Sequence, residues 1–133
     1  MRRYIVACVL CLSLSACGGD RTVSRGADLY AGHCAICHGG DLRGGGGAGV
    51  EGLSRTPADL TVLAFNNGGV FPRSRVLSIL DNYASGTQRG RIMRPFVHLT
   101  SEDSARVKTD AGRRRVPASQ AAVLAYLESR QLP

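Results

Sequence analysis

The 133-residue sequence predicts an all-α domain of about four helices, with a small β-hairpin inserted before the last. Three observations predict it. Helical spacing recurs in three places: Gly26, Leu29, Tyr30 and His33; Val76, Ile79, Leu80 and Tyr83; and Ala121, Leu124 and Ala125 with Tyr126 and Leu127 adjoining. The length suits a single core. The composition, 44% hydrophobic with no long charge block, is that of a globular chain and not a disordered one.

Residues 1–16 read as an export signal. Arg2 and Arg3 form a charged start, Tyr4 to Leu14 is almost continuously apolar, and Leu14-Ser15-Ala16-Cys17 closes the segment with small residues. So short an apolar run falls well below the roughly twenty residues that a helical membrane span needs. Leu14-Ser15-Ala16-Cys17 also resembles the lipobox of bacterial lipoproteins, in which the cysteine is acylated and becomes the first residue after cleavage. On that reading Cys17 anchors the chain to a membrane surface on the periplasmic side, residues 17–23 form a tether, and residues 24–133 form the domain. Cleavage near Ala16 to leave a soluble protein with a free Cys17 is the alternative. Cys8 and Cys11 lie inside the apolar run and leave with the signal.

The helices follow in order. The first leads into the segment around Cys34. After Pro57, with Thr56 as N-cap, Leu60, Leu63 and Ala64 mark one face of a short helix that Asn66-Asn67-Gly68-Gly69 ends. The Val76 stripe gives the next, closed by Gly86, and the last runs from about Pro117 to Arg130, crossing the first near Gly26, Tyr30 and Ala31. Between Phe96 and Pro117 the alternating flanks of Asp110-Ala111-Gly112 predict the hairpin, a solvated loop being the other reading.

The net charge is +7, and with Arg2 and Arg3 removed fifteen basic side chains still face ten acidic ones. The arginines are scattered, without aromatic platforms between them, so nucleic acid is excluded as a partner. An acidic redox partner or anionic headgroups fit better, and Arg113-Arg114-Arg115 is the densest positive run. A solvated strand is the plain reading of that run.

Cys34-Ala35-Ile36-Cys37-His38 carries the chemistry. Two thiols three residues apart can each add to one vinyl group of a haem while the next imidazole meets the iron, so C-x-x-C-H reads as a c-type haem attachment site. A disulfide or a thioredoxin-like redox pair uses the same cysteines. The thioredoxin reading needs a strand before the motif and a long helix after it, and Gly39, Gly40 and the Gly44 to Gly47 run oppose that helix.

Gly26 to Tyr30, the run Cys37-His38-Gly39, a later methionine and Ala125-Tyr126-Leu127 together resemble class I c-type cytochromes. The resemblance covers most of the chain after the leader. It implies a cytochrome c fold of helices around one haem c per chain, with Cys34 and Cys37 as the thioethers, His38 as the proximal iron ligand and a methionine as the distal one. Met93, the sole methionine beyond Met1, stands fifty-five residues after His38. A core role is its plain alternative, and His98, then His33, are rival ligands. Members of the family commonly place Pro directly after that methionine, whereas here Arg94 precedes Pro95. The resemblance further implies a carbonyl acceptor for the second ring nitrogen of His38, near a proline; Pro57 is the candidate.

Electron transfer between exported or membrane-bound redox partners is the function so implied, because Met/His ligation fills both axial positions of the iron. A five-coordinate haem protein with ligand-binding or peroxidase activity, using His98 and Arg94, is the alternative. A dedicated cytochrome subunit of a larger oxidoreductase differs only in its partner.

Overall fold

The computed structural model describes residues 17–45, 56–85, 99 and 103–133. The leader with Cys8 and Cys11, the segment bearing Met93, Arg94, Pro95 and His98, and Gly86 lie outside the described residues. Helix α1 spans Cys17–His33 and takes in the backbone of the segment read as a tether. A turn at Cys34 separates it from the short α2, Ala35–His38. Helix α3 spans Arg73–Ala84, strands β1 and β2 span Ser104–Thr109 and Gly112–Pro117, and α4 spans Ala118–Ser129.

Helices α1 and α4 cross closely because the contact is built on small residues. A Cβ placed on Gly26 would stand 2.0 Å from the carbonyl oxygen of Ala122 and 2.7 Å from the Cβ of Tyr126. Only hydrogen fits there, and one turn on Tyr30 packs its ring on that of Tyr126, with centroids 5.4 Å apart and planes tilted by 49°. The crossing lies at Gly26 and Tyr30, as the sequence predicts.

Between α2 and α3 the chain departs from the predicted short helix. Residues 56–59 have no regular structure, turns occupy 61–64, and a 3-10 helix spans Phe65–Asn67. The reason lies in the backbone, whose polar groups are committed elsewhere: Leu60 N–H donates to the Leu42 carbonyl at 2.8 Å, and the Ala58 carbonyl is taken by a side chain. The cap is Asp59 and not Thr56, since Asp59 Oδ1 accepts from both the Thr61 N–H and the Thr61 hydroxyl. Gln131 holds this segment to the end of α4. Its side chain accepts from the Ala64 N–H and donates to the Leu60 and Leu127 carbonyls.

Helix α3 buries Val76, Leu77, Leu80 and Tyr83, while Ile79 is 39% exposed. The buried stripe is thus turned by part of a residue spacing towards Leu77, which is fully enclosed. Its N-terminus has no side-chain cap of its own; Asp110, in the hairpin turn, accepts from the Ser74 N–H at 2.9 Å.

The all-α expectation is corrected by the two-stranded antiparallel sheet, which makes the architecture mixed helix and strand. The hairpin is a packed layer of the fold and not an appendage on a helical domain. Its register pairs Ala105 with Val116 and Val107 with Arg114, so alternation puts one apolar face inward, where Val116 is buried and Ala105 and Val107 pack on the core. Arg73 clamps it from outside, donating through Nε and Nη2 to the Glu128 carboxylate and through Nη1 to the Lys108 carbonyl. Arg114 adds an ion pair to Asp81 on α3 at 3.0 Å. Among the described residues no helix is long and apolar enough to cross a membrane.

Candidate functional site

The site forms where α1 ends. Cys34 N–H donates to the Tyr30 carbonyl, and the N–H groups of Cys37 and His38 both turn back to the Cys34 carbonyl, so the two cysteines and the histidine share one tight turn. The thiols are not joined to each other. Cys34 is buried and Cys37 half-buried, with Ile36 between them 66% exposed. Burial, aided by the neighbouring Cys37 thiol, pushes the Cys34 thiol up to about 11. No strand precedes the motif among the described residues, and the four-residue helix Ala35–His38 ends with the motif at His38, so the thioredoxin arrangement is absent there.

His38 is 8% exposed and its ring is fixed by one bond: Nδ1 lies 3.0 Å from the Ala58 carbonyl oxygen. A carbonyl only accepts, so this nitrogen carries a proton, and in the neutral imidazole Nε2 keeps its lone pair. Among the described residues Nε2 has no hydrogen-bond partner. The acceptor is the residue after Pro57, one position beyond the sequence candidate.

Three groups that the motif does not reveal hold this geometry. Tyr30, whose phenol burial raises well above its usual range, donates to the Gly39 carbonyl at 2.7 Å and pins the turn after His38. Gly44 N–H donates to the His38 carbonyl at 2.8 Å, and a Cβ on Gly44 would stand 2.1 Å from the Pro57 carbonyl oxygen. Its φ of +79° is open to glycine at little cost, which is the signal the glycine run carried. Leu42, fully buried, also sits at positive φ, 68°, a strained position for a residue with a side chain, and its backbone carbonyl accepts from the Leu60 N–H.

The structure therefore brings Cys34, Cys37 and His38 together with the Pro57–Ala58 segment. His33 ends α1 with its ring half-buried. Met93, His98 and the Cys17 side chain lie outside what the structure describes. No group of three or more His, Cys, Asp or Glu side chains that could hold a metal ion by itself occurs among the described residues.

The donor set fits a covalently held haem: two uncrosslinked thiols in one turn, followed directly by an imidazole with Nδ1 engaged and Nε2 available as a metal ligand. No protein-family profile, curated protein or solved structure matches this chain.

Proposed function

We propose that the chain is an exported, one-haem electron carrier, with haem c joined to Cys34 and Cys37 and its iron held by His38 and Met93. The observation that carries this reading is the His38 ring, presented beside two unjoined thiols with Nδ1 occupied by the Ala58 carbonyl. When bound, the haem supplies a reversible one-electron couple. The chain's own residues supply the rest. Ala58 fixes the tautomer and plane of His38 and strengthens it as a donor. Tyr30 and Gly44 hold the turn on either side of it. Met93 would hold the iron together with His38, a ligand pair that would favour electron transfer over substrate chemistry. Cys17, acylated, keeps the carrier at a membrane surface, where exported or membrane-bound redox proteins are its partners.

An optical spectrum of the exported protein with and without Met93→Ala tests the proposal. The wild type is expected to show a methionine-to-iron charge-transfer band that the variant lacks. A high-spin wild-type spectrum that shifts on adding carbon monoxide contradicts it and supports a five-coordinate haem protein.

A further inference from the structure

The strand register places like charges directly opposite each other on the outer face of the hairpin. Arg106 faces Arg115 and Lys108 faces Arg113, and all four residues are exposed. Direct cross-strand like-charge pairs destabilise a two-stranded sheet. Unlike Arg114, which pairs with Asp81, none of the four has an ion-pair partner among the described residues. The hairpin thus keeps two repulsive pairs on one face while its inner face packs in the ordinary way.

The position of this face identifies its occupant. Thr22 on α1 lines a groove of about 340 Å³ with Ala105, Arg106 and Val107 of β1, so the start of α1 lies beside the hairpin. Cys17 is five residues earlier in the same helix, about 8 Å along its axis. His33, next to the haem motif, is about 17 Å from Thr22 in the other direction. A redox partner docking for electron transfer would sit at the motif's end of α1. A membrane holding Cys17 would lie at the hairpin's end.

We infer that the outer face of the β1–β2 hairpin docks on anionic lipid headgroups of the leaflet that holds an acylated Cys17. The inference rests on the lipid-anchor part of the proposed function. Phosphate oxygens of the headgroups lie between Arg106 and Arg115 and between Lys108 and Arg113, neutralising the repulsion within each pair. Docking in this way turns the haem end of α1 away from the bilayer, towards partners in the exported compartment.

The test uses the full chain in a Cys17→Ser background, so that acyl chains make no contribution. Sedimentation with vesicles of phosphatidylglycerol and phosphatidylethanolamine is compared with sedimentation on phosphatidylcholine vesicles, which reports any affinity independent of charge. Each basic residue at an anionic surface contributes about fivefold in partition. Arg113→Glu with Arg115→Glu brings the face from four positive charges to two positive and two negative, a net charge of zero, and converts both repulsive pairs to attractive ones. That variant is expected to be at least as heat-stable as its parent and to lose anionic-vesicle binding by more than a hundredfold. Parent binding should also weaken as salt is raised. Undiminished vesicle binding by the variant, or equal binding to both vesicle types, overturns the inference. Binding to polyglutamate but not to anionic vesicles overturns it in favour of an acidic protein. The mass of the mature wild-type N-terminus tests the anchor separately: an unacylated Cys17 removes the anchor and leaves the vesicle result standing.

Discussion

Nδ1 of His38 and the carbonyl oxygen of Ala58 are 3.0 Å apart, twenty residues distant in the chain, and Gly44 is the spacer that sets their separation. Its N–H bonds the His38 carbonyl while its bare Cα meets the Pro57 carbonyl. Gly44→Ala would add the left-handed backbone penalty of about 1–2 kcal/mol to a backbone clash. The expected result is a loss of about 2–3 kcal/mol in chemical unfolding and a broadened distribution of His38 ring orientations in the paramagnetic resonance of the loaded protein. An unchanged spectrum would show that the Pro57–Ala58 segment does not depend on this contact.

The crossing of α1 and α4 responds to volume in the same way. Gly26→Ala gains about 1 kcal/mol of helix propensity but drives a methyl group against the Ala122 backbone, for which overpacking costs about 1–3 kcal/mol. Gly26→Val loses the propensity gain and should lower the thermal midpoint clearly below that of Gly26→Ala. Equal midpoints for all three chains would contradict the close approach.

Two carboxylates tie stability to acid. Hydrogen bonds from Thr61 hold Asp59 below its ordinary value of 3.8, and bonds from Ser74 do the same for Asp110. A carboxyl whose folded value is depressed contributes stability that is complete above the unfolded value and fades as pH falls through the folded one. Urea midpoints should therefore decline as pH drops below the ordinary carboxylate range. The decline should be shallower in Asp59→Asn and in Asp110→Asn, the latter also loosening the start of α3.

Gln120 lies in the first turn of α4, 1% exposed, with neither amide atom hydrogen-bonded among the described residues. Burying an amide without a partner costs about 1–3 kcal/mol. Gln120→Leu is close in volume and is expected to raise the unfolding free energy by about 1 kcal/mol or more. A lower stability in the loaded protein would mean that the amide has a partner there.

That Cys34, Cys37 and His38 share one turn was legible in five letters, because such a placement needs only their spacing. The crossing of α1 and α4 was legible too, since a glycine facing alanines on another helix marks a close approach. The hairpin could be read from alternation and from Gly112. Its weight in the fold could not, because the clamp joins Arg73, Glu128 and the Lys108 carbonyl across long stretches of chain. Hence the all-α expectation failed. The helix expected after Pro57 failed for a related reason: Leu60 and Ala58 give their polar groups to Leu42 and His38, and periodicity says nothing of distant partners. Ile79 matched the apolar stripe yet is partly exposed, since the stripe left the choice between it and Leu77 open.

The mass of the denatured, exported chain tests the haem reading most directly. A haem joined to Cys34 and Cys37 stays with the polypeptide through acid–acetone extraction, and the expected mass is that of the mature chain plus one haem. Cys34→Ala with Cys37→Ala should abolish the addition. A wild-type chain without haem, bearing instead the mass loss of a Cys34–Cys37 disulfide, would contradict it.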